Sequence, residues 1–186
     1  MNLEILEYPP LTEDIEEAKN HLDKYGMALI ANVLSFDEID EMDKRLNEQF
    51  LGEEKYKVGS KIRGDEGLGV ESSDEEKVSR LVWNLINKGD CFLKLIDHPK
   101  ILPLIQHIIG EKVCLCSMGA HMNGSGNERM ALHQDQWPLV PHPMDFPFMA
   151  NVMYLISDNS PDNGGTRLIP GSHKWPLIDY RTANGE

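Results

Sequence analysis

The chain has 186 residues, of which 40% are hydrophobic and 26% charged, and its formal net charge is −13. That length holds one domain with a real core, or part of a larger one, and the composition is ordinary for a globular protein. So acidic a surface repels phosphate backbones and anionic lipid, which counts against nucleic-acid and membrane partners and disfavours a bulky anionic substrate such as a CoA ester.

The opening MNLEILEYPP has neither the basic start nor the apolar core of a secretory signal. No run in the chain approaches the roughly 18 apolar residues of a membrane span, so the cytoplasm is the expected location. Thr12 is a candidate N-cap, and Ile15, Ala18, Leu22 and Tyr25 follow at helical spacing until Gly26 ends the helix. Residues 27–34 (MALIANVL) are short, apolar and bounded, which predicts a buried strand. Ser35 and Glu38 make a capping box for a second helix with an apolar stripe of Ile39, Met42, Leu46 and Phe50. For such stripes core packing is the plain explanation.

Residues 51–73 turn polar and glycine-rich. Gly64, Gly67 and Gly69 do not form a phosphate-binding fingerprint, and the stretch reads as a long loop, either a lid or a disordered excursion. Ser73 and Glu76 form another capping box, and Val78, Leu81, Val82, Leu85 and Ile86 predict a third helix ended by Gly89. Pro99 opens a fourth, with Ile101, Leu102, Ile105, Ile108 and Ile109, ended by Gly110.

Beyond Gly110 the texture changes to strands at 112–122, 146–156 and 166–169, separated by turns at 123–127 and 157–165. Helices first and strands second suggest an α+β fold. The cysteines are Cys91, Cys114 and Cys116, an odd number that fits a reducing compartment. Cys114 and Cys116 are expected in the core or half-buried rather than as a metal pair. The Asn123-Gly124-Ser125 sequon is read as chance, given no signal peptide.

The chemistry concentrates in Leu132-His133-Gln134-Asp135-Gln136-Trp137. On an extended strand, residues i and i+2 point to the same side. One imidazole nitrogen of His133 and one carboxylate oxygen of Asp135 can therefore converge on a single ion. With a second histidine they make the 2-His-1-carboxylate facial triad, which leaves half of the coordination sphere open. H-x-D alone is a weak signal, since a surface His and Asp in a loop would look the same. A second segment, NGGTRLIPGSHK at 163–174, reads as a tight turn, a short strand and a Pro-Gly turn.

Together, HQD at 133–135 and NGGTRLIPGSHK at 163–174 resemble the phytanoyl-CoA dioxygenase family. KYGMALIANVLSFDEIDEM in the first half and LIDHPKILPLIQHIIGEKV before the strands are similar to it too, so the resemblance covers nearly the whole chain. It implies a single oxygenase-like domain over 1–186, mainly helical over 1–110, with the first half of a double-stranded β-helix (a cupin-like jelly roll) over 111–186 and the C-terminal barrel strands missing. It implies Fe(II) at His133 and Asp135, with 2-oxoglutarate and O2 as cosubstrates, ascorbate as a candidate reductant, and hydroxylation of an unactivated C–H bond of a small metabolite with release of succinate and CO2. Because Asp135 keeps its carboxylate, hydroxylation is favoured over halogenation.

Lesser candidates are Met153 and Asn123 at the cosubstrate, and Trp137, Gln136 and His121 at the substrate. Trp137 reads equally as a core aromatic. Asn151, Met153 and Leu155 alternate to one face, the expected barrel interior. Arg129 and Arg167 are candidate anion partners. The family's distal histidine and the arginine after it, which binds 2-oxoglutarate, are expected beyond residue 186; His142 and His173 are the alternatives for the third ligand. Competing readings are an inactive or truncated jelly-roll binding protein, against which retention of both His133 and Asp135 argues, and a cupin-like enzyme using zinc or manganese. Substrate identity and oligomeric state are not legible.

Overall fold

The computed structural model describes residues 6–63, 67–68, 79–123, 133, 135–136 and 146–175. The chain opens with β1 (Leu11–Thr12), α1 (Ile15–Tyr25) and β2 (Leu29–Ile30), and β1 and β2 pair in parallel. The predicted helix is present, but its N-cap is Asp14, whose side chain accepts from Glu17 N–H at 2.8 Å. Thr12 is still extended, paired with Ile30, so it cannot cap. Gly26 ends α1 with φ 72°, the left-handed value that glycine adopts without penalty. The buried strand expected over 27–34 shrinks to two residues, because β1 is its only partner among the described residues and Leu29 stays exposed.

The capping box of Ser35 and Glu38 starts α2 (Phe36–Tyr56) as expected. This helix runs through the first six residues of the predicted loop. Leu51, Glu53, Glu54 and Lys55 are good helix formers, and Arg45–Gln49 and Gln49–Glu53 link successive turns at 2.7 and 2.8 Å. Then β3 (Ser60–Arg63) and β4 (Gly67–Leu68) form an antiparallel pair where a lid or disorder was expected.

The third predicted helix is overturned. Residues Ser79–Trp83 are β5, in the middle of a four-stranded sheet of order β4-β3-β5-β6, followed by a 3-10 turn at Leu85–Asn87. The helical spacing of Leu81, Val82, Leu85 and Ile86 is real, but pairing with β3 and with β6 (Gly119–Met122) outweighs it. Ser73, Glu76 and Val78 lie outside the described residues. A short α3 (Asp90–Leu93) and α4 (Leu102–Ile109) follow, the latter close to its predicted bounds and packed on α1.

The core joins one face of α2 (Met42, Leu46, Phe50) to Val82, Leu85, Cys91, Phe92 and Leu95. Each of the Met, Leu, Phe and Val side chains removed from water contributes roughly 1.5–3 kcal/mol. Ala120, Met122, Tyr154 and Ile156 pack against this cluster. Of the expected strand at 112–122 only Gly119–Met122 forms a ladder, and 146–156 and 166–169 form none among the described residues. An apolar run becomes a strand only where a partner accepts its backbone bonds. Cys114 and Cys116 are exposed rather than half-buried, for the same reason; Cys91 is the buried thiol. The mixed helix-and-strand class holds. Among the described residues no helix is long and apolar enough to cross a membrane.

Candidate metal centre

The sheet supplies the first fixed points. Ala120 and Met122 face the helical core, so His121 and Asn123 lie on the opposite face. His121 pairs with Leu81 across the strands. It keeps an exposed edge, yet the protein atoms around its ring push its imidazole pKa down by desolvation. Asn123 follows the last residue of β6. Its carboxamide oxygen accepts from Ser79 Oγ at 3.1 Å, and its Nδ2 donates to the Gly164 carbonyl at 2.7 Å. Asn123 thus ties the start of β5 to the Asn163-Gly164-Gly165 turn. Gly164 has φ 79°, and a Cβ there would stand 2.8 Å from Asn123 Nδ2, so both conformation and space call for glycine.

His133 and Asp135 lie side by side, with Nε2 and Oδ1 3.3 Å apart. Asp135 and Gln136 lie in a turn, not on the expected extended strand. The side chains are 41% and 50% exposed, so as an ion pair they contribute little stability. As ligands they fit a common cation. An imidazole nitrogen and a carboxylate oxygen each about 2.1 Å from one ion, in neighbouring positions, stand roughly 3 Å apart. Their donor chemistry suits a borderline divalent first-row metal.

The segment 146–151 fastens this turn. Asn151 Nδ2 donates to Asp135 Oδ2 at 2.5 Å, leaving Oδ1 toward His133. Gln136 Oε1 accepts from the N–H groups of Phe148 at 3.0 Å and Met149 at 3.4 Å, and Gln136 Nε2 donates to the Phe146 carbonyl at 3.4 Å. Gln136 therefore bonds backbone with both ends of its carboxamide. Sequence reading found Asn151 only as one position of an alternating face. Its bond to Asp135 spans 16 residues, and no local pattern announces it.

Met153 and Leu155 are exposed, while Tyr154 and Ile156 pack on the core, so the alternation over 151–156 is present without a ladder. No hydrogen bond among the described residues links the Asn123–Gly164 node to the His133–Asp135 turn. His173 is placed elsewhere: its Nε2 faces the Asp23 carbonyl at 3.2 Å, against the end of α1. Among the described residues no third His, Cys, Asp or Glu joins His133 and Asp135. Trp137, His142 and Arg129 lie outside the described residues.

Comparison with known proteins gives this pair a context. The model of the phytanoyl-CoA dioxygenase (PhyH) family matches residues 22–184. Dioxygenase af480 of Aspergillus fumigatus is 29% identical over 165 residues, which cover 89% of this chain and 51% of that protein. A probable alpha-ketoglutarate-dependent hypophosphite dioxygenase of Stutzerimonas stutzeri is 26% identical, over 89% of this chain and 56% of its own. The ectoine dioxygenase of Streptomyces coelicolor is 27% identical, over 82% and 49%. The chain spans about half the length of the curated relatives it matches. No solved structure matches it.

Proposed function

The chain belongs to the phytanoyl-CoA dioxygenase (PhyH) family, and we propose that it carries two of the three iron ligands of an Fe(II)/2-oxoglutarate-dependent dioxygenase that hydroxylates an unactivated C–H bond of a small metabolite. The observation that carries this reading is the 3.3 Å approach of His133 Nε2 to Asp135 Oδ1, in a turn pinned by Asn151 and Gln136. A ferrous ion held by His133 and Asp135 would supply the chemistry that couples oxidative decarboxylation of 2-oxoglutarate by O2 to hydroxylation of the substrate C–H, one oxygen atom going to succinate and the other to the product, with release of CO2.

The chain's own residues do the rest. His133 presents the Nε2 lone pair, which requires its ring proton on Nδ1. Asp135 brings the negative charge that a neutral imidazole cannot. A further imidazole, expected beyond residue 186, completes the triad, with an arginine after it for the far carboxylate of the 2-oxo acid. On the family resemblance we assign Met153 and Asn123 to the cosubstrate and Trp137, Gln136 and His121 to the substrate. Given partner strands from the rest of the family domain, the apolar runs after Gly110 pair as the first strands of a jelly roll, and the enzyme works in the cytoplasm.

Anaerobic titration with Fe(II) and 2-oxoglutarate tests the proposal. A weak visible charge-transfer band that is lost in Asp135→Ala supports it. Binding of zinc or manganese at the same pair, with no 2-oxoglutarate decarboxylation by a chain that includes the third ligand, replaces it with a different metalloenzyme.

A further inference from the structure

We infer that Asn151 is a positioning residue for Asp135: its carboxamide holds one carboxylate oxygen so that the other, beside His133 Nε2, is presented to a metal as a single donor. The inference rests on the metal reading of His133 and Asp135 proposed above.

The geometry is specific. Asp135 has two oxygens, and each has a different neighbour: Oδ2 takes a hydrogen from Asn151 Nδ2, while Oδ1 lies 3.3 Å from His133 Nε2. An exposed carboxylate on a short turn otherwise rotates about two side-chain bonds, and ordering it costs free energy each time a metal binds. A bond to one oxygen removes most of that freedom in advance. It also disfavours chelation by both oxygens, since Oδ2 is already spoken for. A carboxylate that occupies one coordination position rather than two leaves room for a two-pronged cosubstrate and for oxygen.

The choice of a carboxamide matters. A Lys or Arg at 151 would also orient Asp135, but as a cation it would compete with the metal for the same negative charge. The Asn151 N–H is neutral, so the carboxylate keeps its full charge for the ion. Partners of this kind, one shell out from the metal, typically change metal affinity by 10–100-fold when removed. Asn151 is exposed and outside the core cluster, so its replacement leaves the folded chain intact.

The test is Co(II) binding, followed by its visible spectrum, to the full 186-residue chain and to Asn151→Leu, Asn151→Asp and Asp135→Ala, with urea midpoints measured alongside. Leucine keeps the volume and removes the donor; aspartate keeps the shape and substitutes a like charge that repels Asp135. The expected result is Co(II) affinity at least about tenfold weaker in Asn151→Leu, with an unchanged urea midpoint. If Asp135→Ala abolishes binding while Asn151→Leu binds within twofold of the parent, the role of Asn151 is overturned and the metal pair stands. If the parent's Co(II) binding does not depend on Asp135, the metal reading falls and this role with it.

Discussion

The Tyr8 hydroxyl and the backbone of Leu168, 160 residues apart in sequence, hold each other twice. The hydroxyl donates to the Leu168 carbonyl at 2.8 Å, and the Leu168 N–H donates to the Tyr8 hydroxyl oxygen at 3.3 Å. One side chain thereby satisfies both polar groups of a residue that has no strand partner in the described sheet. Tyr8→Phe removes both bonds and little apolar surface. Both residues are largely exposed, so water takes over part of the loss and the expected cost is about 1 kcal/mol. A fall of about 0.5 M in the urea midpoint at unchanged slope would register it, together with faster hydrogen exchange at Leu168 N–H. Unchanged exchange there would show that the bond does not hold in solution.

The turn after Leu168 docks at the opposite end of the same region. Gly171 N–H donates to the Tyr25 carbonyl at 2.8 Å, and the His173 ring lies where a Cβ on Gly26 would go, 2.5 Å from Nδ1. Gly26→Ala therefore meets two penalties. A left-handed backbone costs roughly 1–2 kcal/mol for a residue with a Cβ, and the ring must also move. The expected destabilisation is about 2–4 kcal/mol. Adding His173→Ala should recover the steric part, so the double variant is less destabilised than the two singles summed. Strict additivity would show that the ring is not against Gly26 in solution.

Where sequence reading succeeded and failed follows from how local each signal is. The start of α2 is written in four adjacent residues, Ser35 to Glu38, and the end of α1 in one glycine. Both were legible because the atoms that satisfy the backbone are neighbours in the chain. Residues Ser79–Trp83 were misread because Leu81 and Val82 fit a helical spacing equally well. Only the ladders with β3 and with β6, the latter running from Arg80↔Met122 to Trp83↔Gly119, decide for a strand, and partners 17 to 42 residues away leave no mark on local periodicity. The same holds for the centre. His133 and Asp135 stand out by type and spacing, whereas Asn151 and the bonds of Gln136 to the 146–149 backbone exist only through the return of the chain.

The Ser35–Glu38 box offers a test in which chemistry and pH separate. Ser35→Ala removes the hydroxyl that accepts from Glu38 N–H and donates to its carboxylate, at an expected cost of about 1 kcal/mol. The Ser35 backbone N–H, and then its hydroxyl, hold the Glu38 carboxyl below the usual carboxylate range. A lowered folded pKa means that this stabilisation is present above the unfolded value, about 4.3, and is lost as pH falls through the folded value. Glu38→Gln should therefore flatten the acid limb of a stability–pH curve below about pH 5. An acid limb of the same slope in parent and variant would mean that other carboxylates govern it.

At the alkaline end the relevant group is Tyr154. Its hydroxyl donates to the Leu95 carbonyl at 2.8 Å, and its ring packs against the helical core and edge-on to His98. Desolvation there pushes its pKa up to about 12, because the phenolate would have to exist where water is scarce. The folded value lies above the unfolded one, about 10. The neutral phenol's contribution is thus complete below pH 10 and disappears as pH rises toward 12. Urea midpoints measured at pH 8, 10 and 11.5 should fall for the parent across that window and fall less for Tyr154→Phe, which has no proton to lose. At pH 8 the variant should already lie about 1 kcal/mol below the parent, since the Leu95 carbonyl is left without its donor. The two curves should therefore converge with rising pH; parallel curves would show that Tyr154 ionises in solution as freely as in an unfolded chain.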